Sequence, residues 1–226
     1  MIKNWNKKIK IIFENEFELV IDKPAGIMSH PDGRKIEYTL ADFLKEHYNV
    51  KGVGEIGREG LVHRLDTGTT GVMIFAKNKE AFLFLKKQFQ NHTIKKIYRT
   101  IVLGYLKNET GIIDAPIARS KSDFRKKNVK DLFEKDGEGN VSGKEREALT
   151  RYKVLARLKS KSGKPFSFIE CYPATGRTHQ IRVHLRSIRH PILGDGLYGV
   201  RIEEREEIQK DFFTKLTRPM LHSFSL

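Results

Sequence analysis

Gly60-Leu61-Val62-His63-Arg64-Leu65-Asp66-Thr67-Gly68-Thr69-Thr70-Gly71-Val72-Met73-Ile74-Phe75-Ala76 is the stretch on which the reading of this chain turns. Val62 and Leu65 read as the end of a half-buried strand, the Gly/Thr cluster as a turn, and Gly71–Ala76 as a buried strand. Asp66 then stands at a strand-to-turn junction with His63 and Arg64 beside it, a place where loops carry chemistry on a rigid frame. A lone Asp at such a junction ordinarily caps a turn or pairs with a neighbouring arginine. A second cluster downstream, and a charge balance suited to polyanions, move Asp66 away from that default.

Working outward, Phe17–Ile21 reads as a strand with Asp22-Lys23-Pro24-Ala25-Gly26 as its turn. Leu40, Phe43 and Leu44 recur at helical spacing. On the other side, Asn78 is placed to cap a helix whose stripe is Ala81, Phe82, Leu85 and Phe89, and Tyr98–Leu103 reads as a strand ended by Gly104. Residues 119–148 are polar, with glycines among charges, and read as a mobile basic loop facing the polyanion. Strands resume at Thr150–Leu158 and Phe166–Tyr172, and two helices remain, one after Arg177 and one near residues 203–216. Hairpin-like strands with occasional helices predict an α+β fold around a mixed, mostly antiparallel sheet, in one domain over residues 1–226.

Lysine and arginine number 43 against 28 acids, a net charge of +15, which favours a nucleic-acid partner. The excess is concentrated. Residues 77–99 hold seven cations against Glu80, and residues 119–130 hold six against Asp123. Such segregation guides a phosphate backbone toward one face. No apolar run approaches the roughly 18 residues of a membrane span, and Ile9, Ile11, Ile12 and Phe13 are too interrupted by charge for a signal segment. The single cysteine, Cys171, leaves no internal disulfide, and the cytoplasm is the natural compartment.

The second cluster runs from Ala174 to Gly199. Thr178 is a reasonable N-cap, Ile181, Leu185 and Ile188 face inward, and Arg182, Arg186 and Arg189 form a guanidinium stripe one residue on, before Pro191 stops the helix. Arg182 lies near the first turn, where the helix dipole disfavours a cation, so it is better placed if it meets a carboxylate or phosphate. His179 and His184 are five apart, on different faces, and no H-E-x-x-H or cysteine pair exists, so metal chemistry is poorly supported. His63, His179 and His190 read as structural or RNA-contacting. No Walker A motif and no G-x-S-x-G elbow occur.

His63-Arg64-Leu65-Asp66 followed by Thr70-Gly71 and Ala76-Lys77 resembles the catalytic motif of the RluA-type RNA pseudouridine synthases. Lys96–Gly104 matches a further motif of that family, as do Gly176–His184 and His190–Asp195; Asp22–Gly26 and Arg218–His222 match more weakly. The family usually has Ser where Thr70 stands, and related chains continue past a Leu-His-Ser-like segment into a final strand pair, whereas this sequence stops at Leu226. The resemblance implies isomerisation of uridines to pseudouridine in 23S rRNA and/or tRNA after base flipping, by a cytoplasmic monomer with no cofactor, no metal and no S4 RNA-binding domain. It implies Asp66 as the catalytic aspartate, Tyr98 as the tyrosine against the target uracil and Arg182 as the basic partner of that aspartate. Arg64 would help hold the nucleotide out of the stack, with His63, Lys95, Lys96, Arg177, His179, Arg186 and Arg189 as further RNA contacts. The rival reading is a non-catalytic RNA-binding or ribosome-assembly factor using the same basic face. A metal-dependent nuclease has little support from ligand spacing.

Overall fold

Alternate burial organises the first strands. Lys10–Glu14 (β1) pairs antiparallel with Glu18–Lys23 (β2), which pairs antiparallel with Thr70–Ala76 (β3). In β2 the buried residues are Leu19, Ile21 and Lys23, so the last position of the core face carries a charge. Leu40–His47 (α1) is closed by a capping box: Asp42 N–H donates to Thr39 Oγ1 at 3.3 Å, and Thr39 N–H donates to Asp42 Oδ2 at 2.9 Å. In Lys79–Gln90 (α2) the Asn78 side chain accepts from Ala81 N–H at 2.9 Å, as the sequence predicts, and Ala81, Phe82 and Leu85 are buried. The computed structural model describes residues 8–31, 38–120, 123, 125–129, 141–200, 202–212 and 215–226. It divides into two compact units, Lys96–Leu221 and the residues before it joined by His222–Leu226.

In the second unit Ile97–Leu103 (β4), Thr110–Asp114 (β5), Leu149–Lys159 (β9) and Pro165–Pro173 (β10) pair antiparallel in the order β4-β10-β9-β5. Gln180–Ser187 (α3) packs against β9 and β10. Val102, Ile169, Cys171, Leu185, Ile192 and Tyr198 fill the core. The reading of residues 119–148 as a loop needs correction. Ile117–Ser120 (β6), Lys127–Val129 (β7) and Val141–Arg146 (β8) form a separate antiparallel sheet in the order β7-β6-β8. β6 and β7 have only four and three residues, and the six of β8 include a single apolar residue, Val141, so none imprints a two-residue period. Residues 121, 122, 124 and 130–140, on which the expectation of mobility mainly falls, lie outside the described residues. The helix expected over residues 203–216 is Ile202–Gln209 (α4).

Leu221–Ser225 (β11) returns to the first unit and pairs in parallel with β3, His222 opposite Thr70 and Ser223 opposite Gly71. His222 Nδ1 lies 2.9 Å from Thr70 Oγ1. Gly71 has φ +111, and a Cβ there would fall 2.1 Å from Ser223 O, so only glycine permits this approach. Predominantly antiparallel pairing with this parallel exception, and helices packed beside the strands, makes the fold α+β with a mixed sheet, as predicted.

The entry to α3 departs from expectation. The N-cap is His179 in the left-handed region at φ 58, with no side-chain cap bond, and not Thr178. The buried Gln180 amide does the work instead. Its oxygen accepts from Thr175 Oγ1 at 2.6 Å and from Arg177 N–H at 3.0 Å, and its nitrogen donates to Leu149 O and Thr150 Oγ1, each at 3.0 Å. Buried His184 extends the network, with Nε2 3.0 Å from Ala115 O and Nδ1 2.9 Å from Thr150 Oγ1. A carbonyl only accepts, so Nε2 carries the proton and Nδ1 takes the Thr150 hydroxyl hydrogen. Burial, outweighing the Ala115 carbonyl and the Asp114 charge, holds this imidazole below the ordinary histidine pKa of 6.5. On acidification the unfolded chain therefore binds the proton first, and this contribution is complete above 6.5 and lost as pH falls below it. Thermal melting from about pH 7.5 to about 5.5 should show falling stability, with a shallower fall in His184→Gln.

Candidate active site

The Asp66 turn rests on a buried ammonium. Lys23 is 0% exposed at the end of β2, and its Nζ donates to the carbonyls of Thr69 at 2.9 Å, Pro24 at 3.0 Å and Thr67 at 3.3 Å. An ammonium has three N–H donors, and three carbonyl dipoles compensate the charge that burial would otherwise disfavour. Gly26 N–H also donates to Thr67 O at 2.7 Å, and Thr69 N–H to Asp66 O at 3.0 Å. On the preceding side Ser29 Oγ donates to Leu65 O at 2.9 Å and accepts from Leu65 N–H at 3.2 Å. The backbone on both sides of half-buried Asp66 is thus held, which is what a chemically active carboxylate on a loop needs. The sequence marked Asp22–Gly26 as a turn and a weak family match without singling out Lys23; a lysine before proline at the end of an alternating strand was its signal.

His63 and Arg64 diverge in use. The His63 ring stacks on Phe89 at 4.6 Å and 16°, and its Nε2 accepts from Ile74 N–H at 3.1 Å, so the ring fastens the loop to β3 and α2. Arg64 is exposed, with Nη1 3.0 Å from His30 Nε2, while His30 Nδ1 sits 2.7 Å from Pro31 O. The carbonyl fixes the proton on Nδ1, leaving Nε2 to accept from Arg64.

In the second unit Tyr98 is half-buried on β4, packed against the core beside its register partner Cys171. Arg182 is only 8% exposed. Its Nε donates to Asp195 Oδ2 at 2.7 Å and its Nη2 to Oδ1 at 2.9 Å, and its Cζ lies 5.0 Å from the centre of the Tyr198 ring. The carboxylate expected near this first-turn arginine is therefore present. Burial would push the Asp195 carboxyl up, but the Arg182 fork and the N–H groups of Leu197 and Tyr198 outweigh it and hold the pKa below the usual range. The fork engages both Asp195 oxygens at once, the geometry in which a guanidinium holds a carboxylate most firmly.

The other expected contacts are distributed around this helix. Arg186 is half-buried, its Nη1 donating to Tyr198 O at 3.1 Å and Gly199 O at 3.0 Å, so it is an internal anchor and not part of a solvated stripe. Arg189 is exposed just past the helix at φ 65. Lys95 is exposed; Lys96 is half-buried, donates to Thr175 O at 3.2 Å, and has its pKa lowered by desolvation. His190 holds Leu103 O at 2.8 Å. A cleft of about 580 Å³ is lined by Arg119, Lys127, Lys144, Arg146 and Arg177 with no acidic side chain among the described residues, which suits a phosphate backbone. Among the described residues no three His, Cys, Asp or Glu side chains gather as metal ligands.

Replacing Lys23 by Met leaves buried carbonyls unpaired and should cost about 1–3 kcal/mol in a denaturant titration. Asp195→Ala strands the Arg182 charge and should cost about 3–5 kcal/mol by the same measurement.

Residues 18–187 match the family described as RNA pseudouridylate synthase. The chain is 39% identical over 193 residues to the ribosomal large subunit pseudouridine synthase D of Zymomonas mobilis, across 84% of this chain and 56% of that protein. It is 40% identical over 201 residues to an uncharacterized RNA pseudouridine synthase of Aquifex aeolicus, across 88% and 59%. The chain thus spans less than three fifths of the length of these two curated relatives. The solved structure of human RNA pseudouridylate synthase domain containing 1 superposes with a TM-score of 0.71 at 27% identity, over 96% of this chain and 76% of that one. From the first residue of β2 to the last of α3 the match is continuous, and the chain belongs to the RNA pseudouridylate synthase family.

Proposed function

We propose that this chain carries the catalytic activity of an RNA pseudouridine synthase acting on uridines of 23S rRNA and/or tRNA. The observation that carries this reading is the Asp66 turn, whose family motif is clamped on both sides by Lys23, Gly26 and Ser29. The reaction breaks the N1–C1′ bond of uridine, turns the base and joins C5 to C1′. An internal uridine must first leave its stack, at a cost of a few kcal/mol that backbone contacts offset. Exposed Arg64 takes part in holding the nucleotide out, and Asp66 supplies the ionised carboxylate. Tyr98 is the ring against the uracil, and Arg182 is the cation that answers the carboxylate. The basic cleft, with Arg177 on its wall, tracks backbone beyond the target nucleotide. Lys95, Lys96, His179 and Arg189 are further RNA contacts in this reading.

The partner is RNA, and the protein works as a cytoplasmic monomer without cofactor or metal. A net charge of +15 and the absence, among the described residues, of any helix long and apolar enough to cross a membrane agree with this reading. The ribosomal large subunit named for the Zymomonas mobilis relative makes rRNA the first substrate to try.

Because C5 exchanges its hydrogen for the bond to C1′, tritium release from 5-³H-uridine transcripts reports the reaction. The wild-type chain should release tritium with EDTA present, and Asp66→Asn should lose about 10⁴-fold or more. Full activity in Asp66→Asn would remove Asp66 from the chemistry, whereas no tritium release from the wild type would leave a non-catalytic RNA-binding role. Lys144→Ala or Arg146→Ala should each lower the slope of log affinity against log salt by roughly 0.7–0.9.

A further inference from the structure

We infer that Tyr198 is a positioning residue that ties the Arg182 guanidinium to the wall of the basic cleft. The inference rests on the catalytic reading of Arg182 given above. Tyr198 is 1% exposed, and each of its polar groups is engaged. Its N–H donates at 3.0 Å to Asp195 Oδ1, an atom that also accepts from Arg182 Nη2. Its carbonyl accepts from Arg186 Nη1 at 3.1 Å. The guanidinium carbon of Arg182 lies 5.0 Å from its ring centre, a cation–π arrangement shielded from water.

At the far end of the ring, the Tyr198 hydroxyl accepts from the backbone N–H of Lys127 at 2.7 Å and shares a 2.9 Å hydrogen bond with His179 Nδ1. The first contact belongs to the cleft wall and the second adjoins it in the chain. The Lys127 side chain lines the cleft from β7, and His179 directly follows Arg177 and Thr178, which line it from the entry to α3. A phenol ring has no internal torsion, so its two ends move together. One rigid side chain therefore registers the strand that meets backbone phosphates against the arginine that serves the carboxylate.

The plain alternative is an aromatic core residue with a satisfied hydroxyl, since Tyr198 also belongs to the cluster around Val102 and Leu185. A purely structural tyrosine would move the melting temperature and leave the turnover of folded molecules intact. A positioning tyrosine would lower kcat while binding holds.

The experiment compares Tyr198→Phe, Arg182→Lys and the double variant, using the full chain and the 5-³H-uridine rRNA or tRNA transcript that the wild type modifies, with thermal melting alongside. Tyr198→Phe keeps the ring and removes only the hydroxyl. It should lower kcat roughly tenfold or more, with KM within about twofold and no more than a small part of the molecules unfolded at the assay temperature. The double variant should be no slower than Arg182→Lys alone, because the hydroxyl acts through the guanidinium. A wild-type kcat in Tyr198→Phe, a loss equal to the unfolded fraction, or full additivity in the double variant would each overturn the inference. Wild-type turnover in Arg182→Lys together with a slow Tyr198→Phe would remove the route through Arg182 and overturn it as well. Tritium release absent from the wild type would instead sink the assigned activity.

Discussion

A lysine with no solvent contact sets the terms for the first unit. Strand alternation puts Lys23 on the same face as Leu19 and Ile21, and that face goes inward. A charge carried into the core must be surrounded by dipoles, and the nearest come from Pro24 and from the Thr67 and Thr69 carbonyls that flank the Asp66 turn. The turn conformation and the burial of β2 are therefore one requirement. If the loop opened, the ammonium would lose its acceptors; if the ammonium withdrew, the loop would lose its floor.

The second unit solves an equivalent problem with a carboxylate. Arg182 sits at the positive end of α3, an unfavourable place for a cation, and the Asp195 fork makes that place tenable. Around it, Gln180, Thr150 and His184 satisfy one another and three surrounding backbone groups: Arg177 N–H, Leu149 O and Ala115 O. Such a network tolerates few alternative registers, because a slip of one residue would strand several buried polar atoms at once. Precision at the helix entry follows from the cost of leaving those atoms unpaired.

Much of this was legible in the sequence where the cause is local. The stripe of α2 and its Asn78 cap, the strand over residues 71–76 and the first-turn arginine that wanted an anion all follow from spacing within a few residues. What resisted reading depends on partners far along the chain. Thr178 looks like a cap because a threonine usually is one, but Gln180 draws its acceptors from Leu149 and Thr150. Arg186 looks like an outward RNA contact in a periodic stripe, but Tyr198 and Gly199 fold back to receive it. Lys23 looks like a surface turn lysine because nothing within four residues shows that Thr67 and Thr69 will close over it. The β6 and β7 strands are too short for any pattern to announce, and β8 carries only one apolar residue.

The parallel strand β11 carries a consequence for synthesis. Thr70 and His222 are 152 residues apart, so the β3 edge that β11 covers is made long before its cover. During that interval the Thr70–Gly71 end of β3 keeps an unsatisfied backbone edge, the kind of surface that recruits other chains. Gly71 keeps that edge free of a side chain at the very point where Ser223 must dock. The nascent protein thus holds open a narrow slot for its own later strand, and chaperone binding to that slot would have to yield to the arriving strand before the first unit is whole.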